Sequence, residues 1–305
     1  MPAKKKKAPR TGGLIDMLLP VAVLAVFMFV GYLLFLKPHT GPVRTALPSP
    51  PVEEDVRKAP AVDKHKDKPG TPRQAAPAPQ KFKARVAIII DDLGTDTAAL
   101  QDILKLDAPV SIAVLPGVIK SEESALMAGK AGRDVLLHLP MQPKGENVTG
   151  LGPGALLAGM DRKTIAATIR KDLSSVPGAV GVNNHMGSYL TEDGEAMAAV
   201  MGVLKKDRLF FIDSMTSADS VGVHIAVEHG VPTASRNVFL DDSSDQAEIK
   251  FQFDRMVRLA LKNGTAIAIG HPRPDTIEVL RQELPGLREK GIEVVKVSKL
   301  VQQAD

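Results

Sequence analysis

The most constraining feature of this 305-residue sequence is a set of five short apolar runs, each followed directly by Asp, Asn or His. Runs of this composition are typical of strands buried on both faces. In α/β sheets and barrels, the chemistry gathers just beyond the carboxyl ends of such strands. The polar positions after the runs are Asp91-Asp92, His138, Asn183-Asn184-His185, Asp213 and His271. Together they predict one metal-centred site.

The region 84–305 alternates apolar runs with amphipathic segments, which predicts a parallel sheet covered by helices. The predicted strands are 85–90, 110–114, 134–138, 179–183, 209–213, 236–240, 265–269 and 292–296. The predicted helices are 96–106, 121–131, 161–175, 192–206, 217–229, 245–263 and 274–290. Seven or eight such units favour an α/β fold, a compact or incomplete (β/α) barrel, with a doubly wound open sheet as the alternative. The glycine-rich stretch 142–159 is predicted to form a loop at the lip of the site.

The amino-terminal region predicts a membrane anchor. Residues 1–13 form a basic leader, and residues 17–36 contain no charged side chain. A transmembrane helix over 14–36 would cross a hydrocarbon core of about 30 Å. A cleaved signal peptide is the alternative, but no Ala-x-Ala cleavage site follows the apolar stretch. The basic leader should stay in the cytoplasm, so we expect a single-pass protein of a bacterial inner membrane with its domain in the periplasm.

Composition separates the predicted anchor and linker from the domain. Residues 37–83 contain 10 prolines in 47 positions, which predicts a disordered linker. Residues 1–83 carry a net charge of +9 and residues 84–305 a net charge of −5. The overall basicity therefore gives no argument for a nucleic-acid partner. The chain has no cysteine, which excludes disulfides, thiolate zinc ligands and a cysteine nucleophile.

Each polar position also has a purely structural interpretation. Asp91, Asp92 or Asp213 could cap a following helix, and a lone histidine after a strand, such as His138, is usually a hydrogen-bonded core residue. As a functional residue, Asp213 is predicted to orient a histidine or a substrate hydroxyl. The carboxylates of a haloacid-dehalogenase-type phosphatase lie two residues apart, and the adjacency of Asp91 and Asp92 argues against that class.

Further histidines and charged residues receive structural interpretations. His224 and His229 lie on a predicted helix and are interpreted as surface or packing residues. Arg236 and Asp241-Asp242 flank another apolar run and are interpreted as a structural ion pair at the rim of the site.

Six segments together resemble the divergent polysaccharide deacetylase family, and the resemblance covers essentially all of residues 84–300. They are Ala87-Ile88-Ile89-Ile90-Asp91-Asp92-Leu93-Gly94, Val110-Ser111-Ile112-Ala113-Val114-Leu115-Pro116, Leu136-Leu137-His138-Leu139-Pro140-Met141, Asn183-Asn184-His185-Met186-Gly187-Ser188, Phe211-Ile212-Asp213-Ser214 and Gly270-His271-Pro272.

The resemblance implies a deformed (β/α) barrel and a division of labour between adjacent carboxylates. Asp91 would be the catalytic base and Asp92 a metal ligand, most simply for zinc. The usual His-x-x-x-His spacing is absent, so His138 and His185, from separate strand ends, are inferred to complete the ligand set. His271 matches the late histidine that protonates the leaving amine. The family's usual Arg-x-Pro-Tyr segment has no clear counterpart.

The predicted function is that of a membrane-anchored, periplasm-facing, metal-dependent hydrolase that removes acetyl groups from an envelope glycan. In this interpretation Asp213 sets the orientation of a histidine, as carboxylates behind a metal ligand do. The alternative is a non-catalytic module that keeps the barrel and binds glycan or an envelope protein partner.

Overall fold

The computed structural model describes residues 82–145 and 150–302. The predicted leader (1–13), the predicted anchor (14–36) and nearly all of the predicted linker (37–83) lie outside these residues. Among the residues that are described, no helix combines the length and the apolar character needed to span a membrane.

Strands and helices alternate through the described residues. The strands are β1 (Ala84–Leu93), β2 (Ser111–Val114), β3 (Val135–Met141), β4 (Ala179–Met186), β5 (Phe210–Asp213), β6 (Thr233–Ser235), β7 (Val238–Phe239), β8 (Thr265–Gly270) and β9 (Ile292–Val294). The α-helices are α1 (Ala98–Leu104), α2 (Ser121–Lys130), α3 (Arg162–Ser175), α4 (Gly194–Asp207), α5 (Gly222–Glu228), α6 (Gln246–Asn263) and α7 (Pro274–Glu283). Short 3₁₀ turns span Leu190–Glu192, Leu284–Leu287 and Val297–Lys299. Every strand and helix predicted within 84–305 has a counterpart in the structure, and β6 is an additional short strand.

The strand order is that of a barrel rather than of a doubly wound sheet. The sheet runs β6-β5-β4-β3-β2-β1-β8-β7, all neighbours are parallel, and β9 pairs with the start of β1. A doubly wound sheet reverses its order at a switch point. Here the order is cyclic, because β1 and β8 are neighbours and the two ends, β6 and β7, follow each other in the chain. The result is a curled, barrel-like parallel sheet.

The curled sheet separates two hydrophobic clusters. The larger cluster contains side chains from the helices and the outward positions of the strands, among them Ile88, Ile90 and Leu137. The smaller cluster contains the inward positions Ala87, Ile89, Ala113, Leu136, Phe210, Ile212, Ile267 and Ile269. Because side chains alternate between the faces of a strand, the inward positions continue toward the carboxyl ends as a predictable series. The polar side chains of the site follow these inward apolar positions at the carboxyl ends of the strands.

One residue interrupts this alternation in β1. Ile90 pairs with Ile112 and Leu93 pairs with Val114, so β1 has one more residue than β2 between these pairs. Such an extra residue is a β-bulge, and bulges re-aim side chains next to active sites. Leu93 takes the outward position that a regular strand would give to Asp92, since it belongs to the outer cluster. Asp92 is therefore the inserted residue, and its φ of 57° is left-handed.

Part of the predicted lip lies against the end of β3. The Leu156 amide donates to the Pro140 carbonyl at 2.9 Å, and the Gln142 amide donates to the Leu156 carbonyl at 2.9 Å. Residues 146–149 of this loop lie outside the described residues. The described part thus borders the carboxyl ends of the strands, where the sequence predicted it.

Candidate metal centre

Three predicted ligands meet above the inner hydrophobic cluster. The Asp92 Oδ1 atom lies 3.2 Å from His138 Nε2 and 3.0 Å from His185 Nδ1. The two ring nitrogens lie 3.1 Å from each other. These atoms form a nearly equilateral triangle of one carboxylate oxygen and two imidazole nitrogens, which is a donor set typical of zinc.

The spacing of the triangle fits a single small cation. Zinc bonds of about 2.0–2.1 Å in a tetrahedron place neighbouring ligand atoms about 3.3 Å apart. The three separations, between 3.0 and 3.2 Å, are close to that value. In addition, Asp92 Oδ1 is buried and has no hydrogen bond of acceptable geometry, although both ring nitrogens are near. A buried carboxylate oxygen without a partner is expected where a cation binds.

The local fold explains why these three side chains converge. His138 on β3 and Asn183 on β4 are paired neighbours, and His185 lies two residues beyond Asn183, on the same inner face. Asp92 joins them only because the bulge in β1 turns it inward. Burial alone would raise the pKa of Asp92, but the nearby His138 and His185 rings lower it below its usual value.

Asn183 fixes the orientation of His138. The fully buried Asn183 donates from Nδ2 to Asp91 Oδ1 at 2.9 Å, so its Oδ1 is left to accept from His138 Nδ1, 3.0 Å away. The proton of the neutral imidazole therefore sits on Nδ1, and the Nε2 lone pair faces the triangle. This is the arrangement in which a neighbouring group prepares a histidine for metal binding.

Asp91 lies beside the triangle and is not part of it. Its Oδ2 atom is 3.6 Å from His138 Nε2, and only 3% of the residue is exposed. Burial raises the pKa of this carboxyl above its usual value, against the lowering effects of His138 and Asn183. Burial alone would lower the pKa of His138, but the Asp91 and Asp92 carboxylates raise it. The structure thus places a second carboxylate within reach of any molecule bound at the triangle.

His271 lies beside Asp92 and is oriented by Asp241. The His271 ring donates from Nδ1 to Asp241 Oδ1 at 2.9 Å, and its backbone amide donates to Oδ2 at 2.7 Å. Thr276 donates a third hydrogen bond to the same carboxylate at 2.7 Å. The His271 Nε2 atom is left 3.7 Å from Asp92 Oδ2. Burial alone would lower the pKa of His271, but Asp241 raises it above its usual value.

The prediction that Asp213 orients a histidine is wrong. Its Oδ1 accepts from the Met215 amide at 2.8 Å, and its Oδ2 accepts from the Ser220 hydroxyl at 2.6 Å. The reason is strand alternation: Phe210 and Ile212 point inward, so Asp213 points outward toward the start of α5. Asp213 holds the loop after β5 in place. Asp241, rather than Asp213, is the carboxylate that orients a histidine, namely His271.

The prediction of a rim ion pair between Arg236 and Asp241-Asp242 is also wrong. The Arg236 guanidinium donates to the carbonyl oxygens of Ser214 at 2.6 Å and Met215 at 2.8 Å. It also lies over the Phe239 ring, 5.2 Å from the centroid. Arg236 therefore fixes the loop after β5, whereas Asp241 binds His271.

Sequence reasoning gave Asn183 no role of its own and missed Asp241 as a member of the site. The position of Asn183 two residues before His185 on a strand places both on one face, where Asn183 contacts His138 and Asp91. Asp241 follows the inward Phe239 by two residues. For Asn183 the period-two alternation within the strand was the available signal, whereas Asp241 lies two residues beyond the end of β7. His224 and His229 lie on or next to α5 and are exposed, as predicted.

Comparison with known proteins places all of these residues in a recognised segment. Residues 88–301 match the profile of the divergent polysaccharide deacetylases. An uncharacterized protein of Escherichia coli (strain K12), YibQ, is 39% identical over 219 residues, which cover 72% of this chain and 68% of that protein. An uncharacterized protein of Haemophilus influenzae is 38% identical over 218 residues, 72% of this chain and 77% of its own.

A solved structure has a similar fold. The crystal structure of an uncharacterized protein from Agrobacterium tumefaciens C58 superposes with a TM-score of 0.69 at 28% sequence identity. The superposition covers 74% of this chain and 92% of the other. The shared part is long enough to include every strand that carries the triangle and its neighbours.

Proposed function

The chain belongs to the divergent polysaccharide deacetylase family, and on this premise we propose that it is a metal-dependent hydrolase that removes acetyl groups from a polysaccharide of the cell envelope. The observation that carries the proposal is the triangle of Asp92, His138 and His185 with its unpartnered carboxylate oxygen. Family membership supports the substrate class, and the donor atoms support the use of a metal.

Asp92, His138 and His185 would hold the metal, most simply zinc. When bound, zinc would polarise the carbonyl of the acetyl group and make a nearby water more acidic. The His138 ring is oriented for metal binding before a metal is present, because Asn183 keeps the His138 proton on Nδ1. The buried Asp91 carboxylate, 3.6 Å from His138 Nε2, is placed to accept the proton of the attacking water.

His271 is placed to donate a proton to the departing group. Its Nδ1 atom is engaged by Asp241, so its Nε2 atom is the one that faces the site. A departing amine or alkoxide needs a proton as the carbon–heteroatom bond breaks, and a histidine held by a carboxylate is suited to supply it. Asp91 and His271 would thus act as a base and an acid beside the triangle.

We place this activity in the periplasm on the basis of the sequence. The uncharged stretch within 14–36 and the basic leader before it support a single-pass anchor with the domain outside the cytoplasm. Protease added to spheroplasts should degrade the domain while leaving cytoplasmic marker proteins intact. Protection of the domain would contradict this location.

The decisive experiment measures metal content on the purified full-length chain by mass spectrometry. We expect near-stoichiometric zinc in the wild type and its loss in His138→Ala and in His185→Ala. His224→Ala is the matched control, because that histidine is largely exposed on α5 and pairs with Glu228. Acetate release from acetylated envelope glycans should then follow metal content. Full zinc content in the two ligand variants would refute the site, and zinc without acetate release from any envelope glycan would refute the activity.

A second candidate is a glycan-binding module without catalysis. It is favoured by Arg236, whose guanidinium is committed to the carbonyl oxygens of Ser214 and Met215 rather than directed at the triangle. Asp91→Asn separates the two candidates, because the amide has nearly the same shape and cannot act as a base. Loss of acetate release with retained glycan binding supports the hydrolase, whereas an unchanged cellular phenotype supports the binding module.

A further inference from the structure

The hydrogen bonds of His271 fix only one edge of its ring. Its Nδ1 atom donates to Asp241 Oδ1 at 2.9 Å, and Thr276 holds the same carboxylate through a hydrogen bond of 2.7 Å. The Nε2 atom lies 3.7 Å from Asp92 Oδ2, which is beyond hydrogen-bond distance. Because a hydrogen bond to a carboxylate oxygen tolerates a broad range of directions, the ring can tilt about the Nδ1 contact. A second contact is therefore needed to fix the direction of Nε2.

The Phe239 ring makes this second contact. Phe239 ends β7, pairs with Ile269 of β8, and packs against the inner hydrophobic cluster. Its ring centroid lies 5.2 Å from the centroid of the His271 ring, and the two ring planes meet at 63°. This is the edge-to-face arrangement that aromatic rings prefer at centroid separations of about 4.5–7 Å. Asp241 therefore fixes one nitrogen of His271, and Phe239 restricts the tilt of the ring plane.

Phe239 also contacts the Arg236 guanidinium. The guanidinium carbon lies 5.2 Å from the centroid of the Phe239 ring, which is within the distance of a cation–π contact. The guanidinium is itself fixed, because it donates to the carbonyl oxygens of Ser214 at 2.6 Å and Met215 at 2.8 Å. The Phe239 ring is thus in contact with a fixed cation as well as with His271.

These contacts cross the opening of the curled sheet. β6 and β7 are the two ends of the strand order, and no backbone ladder joins them among the described residues. The carbonyl oxygens that hold Arg236 belong to the loop after β5, whereas Phe239 belongs to β7. Arg236 and Phe239 therefore connect, through side chains, two edges that the backbone leaves unpaired, and they do so beside His271.

We propose that Phe239, held by Arg236, is a positioning residue for His271: it limits the tilt of the imidazole ring and keeps Nε2 directed toward Asp92. This inference rests on the proposed function, in which His271 supplies a proton to the departing group. Phe239 itself carries no group that donates or accepts a proton. It acts through the shape and position of its ring, so an aliphatic side chain of similar size should not replace it.

The kinetic test removes the ring and keeps an apolar side chain. In the full-length chain, Phe239→Leu should lower kcat for an acetylated oligosaccharide roughly 10–100-fold with little change in KM, because a misplaced acid slows proton transfer without weakening binding. Phe239→Tyr, which retains the ring, should keep most of the wild-type kcat. Both variants should keep the wild-type zinc content.

Phe210→Leu is the matched control for the loss of a ring from the inner cluster. Phe210 belongs to the same cluster and begins β5, so it lies at the opposite end of the strands from the site. We expect this variant to lose stability and to keep the wild-type kcat. An unchanged kcat in Phe239→Leu, or an equal loss of kcat in Phe239→Leu and Phe210→Leu, overturns the inference.

A double-mutant cycle tests the part that Arg236 plays. Arg236→Met removes the cation and the planar donor group while keeping an unbranched side chain. If Arg236 acts on His271 through Phe239, the double variant should have a kcat no lower than that of Phe239→Leu alone. Losses of kcat that multiply in the double variant would show that Arg236 acts independently of Phe239, which overturns this part of the inference.

A measurement of ring motion separates this inference from the proposed reaction. The full-length chain carries ¹³C at the Cε1 atoms of its histidines, and the His271 signal is assigned by its loss in His271→Asn. In the metal-free protein, we expect Phe239→Leu to lower the order parameter of this signal, and Phe239→Tyr and Phe210→Leu to leave it unchanged. A lowered order parameter in a protein that releases no acetate from any envelope glycan supports the positioning contact and refutes the reaction. An unchanged order parameter in Phe239→Leu overturns the positioning contact, whether or not acetate is released.

Discussion

The carboxyl ends of β1 and β5 have similar sequences and opposite outcomes. Both are apolar runs that lead to an aspartate, as Ile89-Ile90-Asp91-Asp92 and Phe211-Ile212-Asp213-Ser214. At the end of β1, two carboxylates face the interior of the barrel: Asp92 forms the triangle with His138 and His185, and Asp91 lies beside it. At the end of β5, the single carboxylate faces outward and bonds to the backbone and to Ser220. Residue type at a strand end is therefore insufficient to assign chemistry.

The difference arises from strand alternation and from one inserted residue. Ile89 and Asp91 are two apart and both point inward, as the period of a strand requires. Asp92 would point outward, but the bulge reverses it. In β5 no such interruption is found among its pairs with β4 and β6, so Asp213 keeps its outward direction. The inner face carries the candidate metal ligands, and the outward Asp213 holds the loop after β5 through hydrogen bonds.

The most severe test of this contrast removes the inserted carboxylate. Asp92→Ala should abolish stoichiometric zinc binding, because the triangle loses its only anionic ligand. The variant should remain folded, since Asp92 makes no hydrogen bond that a loop or helix depends on. Metal content by mass spectrometry and the melting temperature of the metal-free protein measure the two effects. Asp213→Ala, the matched change at the end of β5, should keep its zinc, and loss of zinc in both variants would break the contrast.

Another buried carboxylate, Asp172, lies on a helix outside the sheet, and one of its oxygen atoms has no hydrogen-bond partner. Asp172 on α3 is buried, its Oδ2 atom has no hydrogen bond, and burial raises its pKa to about 7. The pKa of Asp172 in the folded state exceeds the value of about 3.9 in the unfolded state. The contribution of this group to the free energy of unfolding is therefore fully present below pH 4 and is lost as the pH rises through about 7.

We therefore expect the free energy of unfolding of the wild type to fall by roughly 2–4 kcal/mol as the pH rises, and we expect Asp172→Asn to lack this fall. The measurement is denaturant unfolding of both proteins at pH 4, 6 and 8. The stability of the variant relative to the wild type should increase as the pH rises. A constant difference between the two proteins across this range would contradict the expected titration of Asp172.

Removal of the β5 carboxylate should cost stability and spare the metal. Asp213→Ala leaves the Met215 amide and the Ser220 hydroxyl without their acceptor, which destabilises the fold by roughly 2–3 kcal/mol. Asp213→Asn should recover most of this loss, because the amide oxygen can still accept from Met215. Denaturant unfolding measures the loss, and metal content tests the separation from the site. Reduced zinc affinity in Asp213→Ala would connect Asp213 to the metal centre after all.

The smallest effect distinguishes two adjacent asparagines on β4. Asn183 points inward and bridges Asp91 and His138, whereas Asn184 accepts from the Ser214 amide. Asn183→Ala should weaken zinc affinity about 10–100-fold, because His138 loses the group that fixes its tautomer. Asn184→Ala should lower thermal stability and change zinc affinity less. Competition with a chelator measures the zinc affinity of both variants. Equal losses of affinity would contradict the distinction between the inner face, which carries Asn183, and the outer face, which carries Asn184.

Much of the fold was predictable because its strands are short apolar runs of strong local character. The positions of Asp92, His138, His185 and His271 followed from the same pattern, although their roles in metal binding and catalysis stay predictions. The bulge was not predictable, because it depends on the pairing of β1 with β2, which is not encoded in β1 alone. Asp241 was assigned to an ion pair because it and Arg236 flank the same apolar run. Its contact with His271 was not predictable, because β7 pairs over only two residues, Val238 and Phe239, and Asp241 lies beyond its end.

The inserted residue in β1 also makes the site sensitive to a change of length. Deletion of Asp92 would let Leu93 follow Asp91 directly, so that the outward pairing of Leu93 with Val114 would continue the regular register with β2. The hydrophobic layers on both sides of the sheet would keep their residues, while the cation would lose its carboxylate. Where the triangle binds the proposed metal, loss of three nucleotides would be sufficient to convert this barrel into a scaffold without a metal, and we expect an alignment with a gap at this position to identify such chains.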